Sequence, residues 1–166
     1  MIEKFCYDDN PANCISNGGL YQWDEMMQYQ NQEGTQGICP PGWHVPADAE
    51  WMILEGAVDS QYEIREFNWN NLGYRGYDAG LNLKSTTGWD DDGNGTDPFS
   101  FTALPAGFRD YDGLFSKYGK EGNWWTSAIW YPSFAWYHSL SFESSGRGIF
   151  LDNPKMGRSV RCVKNY

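Results

Sequence analysis

The sequence predicts an α+β domain with an antiparallel sheet and long loops, from three observations. Helix patterns fall early in the chain, strand patterns crowd after residue 101, and 19 Gly and 8 Pro punctuate what lies between. A chain of 166 residues suits one domain with a single sizeable core, and neither an internal repeat nor a second-domain linker interrupts it. Residues 1–19 read as an N-terminal loop ending in Gly18-Gly19, and residues 20–166 as the folded body.

Each element follows in turn. "LYQW" is a short strand candidate, and "WDEMMQYQ" starts a helix with acids in its first turn, where they suit the helix dipole. "CPPGWHVPADAEW" fixes the start of a second helix: Pro46 suits the first turn, and Asp48 and Glu50 sit near its positive end. Trp51, Leu54 and Val58 recur on one face of that helix, while Gly56 weakens its last turn. Residues 66–100 carry little pattern beyond "LNLKS", a short strand candidate. Then "FTALPAGF", "NWWTSAIW", "AWYHSLSF", "GIFLD" and "SVRCV" read as strands. The two helices are expected to present one buried face and one acidic face.

Composition limits the partners. Twelve basic against 22 acidic residues give a net charge of -10, which disfavours nucleic acid and anionic membrane surfaces. No apolar run approaches the roughly 20 residues of a membrane span, and "MIEKFCYDDN" lacks the apolar centre of a signal peptide, so an exported protein would carry its signal outside this chain.

Four cysteines bear on the compartment. Cys6 and Cys14 flank a turn with Asn-Pro in its middle, and Cys39 and Cys162 lie near the second helix and the last strand. No CxxC spacing is present and His44 and His138 are the only histidines, so zinc is disfavoured. The favoured pairing is Cys6–Cys14 with Cys39–Cys162. The alternative is four reduced, buried thiols in a cytosolic protein.

Six blocks then carry a resemblance: "CYDDNPANC", "GGLYQW", "GICPPGWHVPADAEW", "LKSTTGWDDDGNGTDPFSFTALPAGFRDYDG", "WWTS" and "GRSVRCVKN", in that order. Together they resemble the Fibrobacter succinogenes major paralogous domain of secreted and surface bacterial proteins. More distantly, "GWHVPADAEW" with "SVRCV" resembles the formylglycine-generating-enzyme group and its C-type-lectin-like fold. The resemblance implies two helices, a small twisted antiparallel sheet, a long loop region and chain ends side by side. It implies an extracellular or cell-surface location, with no reaction to carry over.

Candidate chemistry is sparse. "GWDDDGNGTD" sets Asp90, Asp92, Asn94 and Asp97 in one loop, a spacing that suits calcium although it departs from an EF-hand; the alternative is a solvated acidic turn. Asn94-Gly95-Thr96 is also a glycosylation sequon. His44 and His138 read as packed, hydrogen-bonded residues, and Asp24/Glu25 and Glu63/Glu66 as surface acids, so no catalytic set is named. The aromatic share is high, 17%. Trp43, Trp51, Trp124 and Trp136 fit core patterns. Trp130 and Tyr131 lie in a loop, and strand alternation turns Tyr137 away from Trp136, His138 and Leu140, so these three rings are the expected platform for stacking on a sugar. The expected function is non-catalytic binding or adhesion, with carbohydrate as ligand. The alternatives are a structural subunit that assembles with itself or with other surface proteins and, less favoured, an enzyme of the formylglycine-generating group.

Overall fold

A computed structural model describes residues 2–130 and 133–166. The N-terminal segment is more ordered than a loop. A 3-10 turn at Tyr7–Asp9 leads into α1, Pro11–Asn17, where Asn10 caps the helix by accepting from the Ala12 amide at 3.1 Å and Pro11 fills the first position. The Cys6–Cys14 disulfide ties the turn to the helix, and Phe5 bridges Leu20 to close the segment. Next comes α2, Trp23–Met27, whose Trp23, Met26 and Met27 are buried.

The stretch from Cys39 to Trp51 has a definite task. Cys39 is bonded to Cys162, and β1, Trp43–His44, pairs antiparallel with Val163–Lys164 near the C-terminal end. Helix α3, Asp48–Val58, follows at once, and Glu50 reaches back to accept from the Ala47 amide at 2.9 Å. The start of α3 and the last strand are thus held together covalently and by sheet pairing. Gly56 lies in α3 because the Ile64 backbone passes where a side chain would stand: a Cβ there would meet Ile64 Cα at 2.6 Å.

The middle of the chain departs from expectation. After a 3-10 turn at Phe67–Asn70 come β2, Gly73–Arg75, and α4, Ala79–Leu83. The segment read as a strand at "LNLKS" is therefore mostly the end of a helix, and the domain holds four helices among the described residues, not two. "FTALPAGF" is also no continuous strand. Thr102 and Gly107 adopt positive φ and only isolated bridges form, before β3, Phe108–Arg109, pairs with β4, Phe115–Ser116.

Three of the remaining strands match the alternating runs: β5, Glu121–Trp130; β6, Phe134–Ser141; and β7, Arg147–Asp152. The run "SVRCV" is no strand: it shares only Val163 with β8, Val163–Lys164, and otherwise makes an isolated bridge at Ser159. The main sheet is antiparallel with order β2-β7-β6-β5. It is covered on both faces. Trp124 and Leu140 join Trp51, Trp69, Leu83 and Trp89 in one core. Trp125 and Ala135 join Trp23, Met26, Met27 and Val45 in a second. Adjacent tryptophans on β5 thus anchor opposite layers, as the pleat requires. Of the rings expected inside, Trp51 and Trp124 are buried, Trp136 is half-buried, and Trp43 is 38% exposed.

Candidate functional site

The tip of the β5–β6 hairpin presents aromatic surface to solvent. Trp130 and Phe134 are direct cross-strand partners, and they are 60% and 48% exposed. Trp136 lies two residues beyond Phe134, hence on the same face. Its ring meets Trp130 edge-on, with centroids 6.2 Å apart and planes at 85°. This is the diagonal contact that long side chains make across an antiparallel pair. A register shift between Trp125 and Ile129 separates this tip from the regularly paired base of the hairpin.

The platform differs from the expected one. Tyr131 lies outside the described residues. Tyr137 does face away from Trp136, but that side of the sheet is covered. Its ring stacks on Phe150 at 5.6 Å, meets Trp125 edge-on at 6.0 Å and lies 3.5 Å from the Arg158 guanidinium. Burial raises the Tyr137 pKa, against the pull of Arg158. Tyr137 packs against Phe150, Trp125 and Arg158, and the rings beside Trp130 are those of Phe134, its cross-strand partner, and Trp136. The signal for them was the i, i+2 spacing of "FAW" just after a turn.

The acidic loop is tied down by its own side chains. Trp89 is buried, with Nε1 donating to Ser85 Oγ and the Ala103 carbonyl. Asn94 Oδ1 accepts from the Trp89 amide at 3.0 Å, and Asp97 accepts from the Thr102 amide at 2.9 Å and hydroxyl at 2.7 Å. Asp90 lies against Gly119, whereas Asp92 edges a small hollow with Lys84, Gly93 and Glu143. Gly95 is needed for close approach, since a Cβ there would stand 2.2 Å from the Lys84 carbonyl. Among the described residues no group of three His, Cys, Asp or Glu side chains gathers as metal ligands.

Both histidines bind α3 to the rest of the domain. His44 Nε2 faces the two Glu50 carboxylate oxygens at 2.8 and 2.9 Å, and Nδ1 meets Asn165 Oδ1 at 2.7 Å. Burial would lower its pKa, but the Asn165 and Glu50 contacts outweigh that and raise it. His138 is fully buried, and its Nε2 lies 2.8 Å from Asp48 Oδ1. Burial, then the charge of Arg147, lower its pKa against both carboxylates. The neutral ring therefore donates from Nε2 to Asp48, leaving Nδ1 bare at 3.6 Å from Glu55 Oε1, too far for a hydrogen bond.

Glu55 is the centre of this network. Arg75 Nη2 donates to Oε2 at 2.6 Å, and Arg147 Nη1 stands 3.3 Å from Oε1. The Arg147 guanidinium also lies 4.2 Å from the Trp51 ring centre, and Trp51 stacks on His138 with centroids 5.2 Å apart. Burial alone would raise the Glu55 pKa, yet the charges of Arg147 and then Arg75 pull it down to about 2. Sequence reasoning missed this network, because a glutamate on a helix flanked by loops reads as a surface charge. All four cysteines are paired as expected, Cys6 with Cys14 and Cys39 with Cys162.

A family model for the Fibrobacter succinogenes major domain matches residues 2–164. No curated protein and no solved structure matches the chain.

Proposed function

This chain belongs to the Fibrobacter succinogenes major domain family, and from that premise we propose an extracellular, non-catalytic binding domain that holds neutral carbohydrate on the Trp130–Phe134–Trp136 face. The observation that carries the reading is Trp130, a 60% exposed indole braced edge-on by Trp136 and opposed by Phe134. A sugar ring has an apolar, uncharged face, and a rigid aromatic surface meets it with little loss of side-chain freedom. Exposed aromatic patches on a folded domain mark interaction sites. The two disulfides suit an oxidising compartment, and among the described residues no helix is long and apolar enough to cross a membrane. Kinship with C-type-lectin-like folds is part of this proposal and rests on the sequence resemblance alone.

The test is retention on immobilised glycans together with a melting curve. Trp130→Ala is expected to melt like the parent chain and to lose retention. A parent chain that ignores every glycan offered, or a Trp130→Ala variant that binds unchanged, removes the reading. Calcium on the acidic loop is a separate proposal. Asn94 and Asp97 already hold Trp89 and Thr102, so an ion there would draw on Asp90 and Asp92. Calorimetry at millimolar calcium, with the Asp90→Asn and Asp92→Asn variants as controls, tests it.

A further inference from the structure

The segment that leads into β8 has one backbone edge paired and the other open. Its side chains alternate between layers: Val160 and Cys162 pack with the Trp23 and Met26 core, whereas Arg161 lies 4.1 Å from the Phe101 ring centre on the other side. Such alternation needs an extended backbone, whose N–H and C=O groups point to the two edges in turn.

One edge is occupied. Gly157 exchanges backbone bonds with Arg109, Ser159 bridges Trp124 on β5, and Val163 pairs with His44 on β1. The other edge is occupied only at Arg158, which exchanges bonds with Tyr21 at 3.0 and 2.8 Å. An antiparallel ladder continued from that pair would join Gly19 to Val160 and Asn17 to Cys162. Neither rung forms, and among the described residues the Val160 and Cys162 backbone groups have no backbone partner. The two chain segments part here and leave a gap.

That gap is a cleft of about 250 Å³, lined by Asn17, Gly18 and Gly19 on one side and by residues 159–162 on the other. Odd and even residues of 159–162 line it alike, so it runs along their edge and not over one face. A Cβ at Gly18 would meet nothing within 4 Å. Leu104 and Trp124 are among the remaining walls, and no acid lines the cleft. Arg161 is its one charged residue, and it already donates to the Phe101 carbonyl. The open edge is also rigid. Arg158 is pinned by Tyr21 at one end, and Cys162 by its disulfide to Cys39 at the other. A partner that adds there loses little to ordering this side of the contact.

The chemistry that matches such an edge is another backbone. Val160 and Cys162 each offer one donor and one acceptor, about 7 Å apart along an extended chain. An extended peptide repeats N–H and C=O at that interval, and a sugar does not. We propose that this cleft binds a short extended segment of another protein, with small uncharged side chains, which adds as a strand between Val160–Cys162 and Asn17–Gly19. A second copy of this chain is disfavoured as donor, since both copies would carry -10. The proposal does not rest on carbohydrate binding: Trp124 marks the base of β5, and Trp130 its tip.

The probe is a display library of random heptapeptides selected on the immobilised parent chain. Enriched peptides should slow amide exchange at Val160 and Cys162 at least ~tenfold and leave Arg161, whose amide faces the other edge, unchanged. Methylating single backbone nitrogens of an enriched peptide should weaken binding at least ~tenfold at alternate positions and little at those between. Leu104→Trp, at a half-buried wall residue, should keep the parent melting temperature and lose the peptide. The methylated peptides, tested on the parent chain, decide the matter if that variant fails to fold. Trp130→Ala should bind the peptide as the parent does. No enrichment over the blank support, protection elsewhere on the domain, or equal binding by all methylated peptides overturns the proposal. A parent chain that self-associates until the peptide displaces it overturns the choice of a foreign partner.

Discussion

Arg75 Nη2 donates to Glu55 Oε2 at 2.6 Å with both side chains out of water, joining edge strand β2 to helix α3 through the interior. Removing one partner of such a pair strands the other charge in a low-dielectric site, which typically costs about 3–5 kcal/mol. Glu55→Ala should therefore be among the most damaging substitutions in the domain, read as a large fall in melting temperature. Glu55→Met, which also leaves Arg75 and Arg147 without a counter-charge, should not rescue it. A mild effect from both would mean that water reaches the site.

The same group sets an acid limit. The Glu55 pKa is lowered to about 2 from an ordinary 4.5, so its contribution is full above pH 4.5 and is lost as pH falls towards 2. Converted by linkage this is roughly 3 kcal/mol. His138 acts in the same sense and begins earlier. Its folded pKa is lowered, so below the ordinary 6.5 the unfolded chain takes up a proton that the folded one resists. Stability should decline from about pH 6.5 downward. In Glu55→Gln the loss between pH 4.5 and 2 should flatten, measured by urea unfolding at each pH.

His44 works with the opposite sign. Its pKa is raised through Asn165 and Glu50 in spite of burial. Its contribution is full below the ordinary 6.5 and disappears as pH rises through the folded value. Because the pair reaches solvent, the effect is small, under about 1 kcal/mol. The melting difference between the parent and His44→Gln should be larger at pH 5.5 than at pH 8.5. An equal difference at both would reduce His44 to a shape-filling residue.

Much of this arrangement was legible in the sequence, and the failures have identifiable causes. Strands β5, β6 and β7 followed from alternation, and α3 from Pro46 and its first-turn acids. Helix α4 was missed because Leu81 and Leu83 alternate as in a strand and Gly80 weakens a helix. That glycine is there for close approach, since a Cβ would meet the Gly146 carbonyl at 2.1 Å. Trp130 was correctly singled out as exposed. Tyr137 was misplaced because alternation gives a side of the sheet but not what covers it, and here both sides are covered. Glu55 could not be found, since one partner, Arg75, lies 20 residues away and the other, Arg147, on a distant strand.

The two disulfides should differ in weight. Cys39–Cys162 spans 123 residues and Cys6–Cys14 spans 8. Loop-closure entropy puts them at roughly 5 and roughly 2.5 kcal/mol. Non-reducing peptide mapping should recover both pairs. Replacing Cys39 and Cys162 by Ala should lower the melting temperature more than replacing Cys6 and Cys14. The reverse order would show that the N-terminal segment matters more to the core than its peripheral place suggests.

The aromatic residues offer a graded series on one hairpin and the helix beneath it. Trp51 is buried between Arg147 and His138, so Trp51→Ala opens a cavity beside stranded polar groups and should cost at least ~3–5 kcal/mol. Tyr137→Ala removes the ring that covers the Arg158 guanidinium and meets Trp125 and Phe150, and should also destabilise substantially. Trp130 is mostly in water, so Trp130→Ala forfeits only its edge contact with Trp136, about 0.5–1.5 kcal/mol. Melting curves should therefore rank Trp51→Ala lowest, Tyr137→Ala next and Trp130→Ala near the parent. Glycan retention should fail in Trp130→Ala while its fold stands. If Trp130→Ala melts as low as Tyr137→Ala, the indole is part of the packed sheet, and the hairpin tip is no platform.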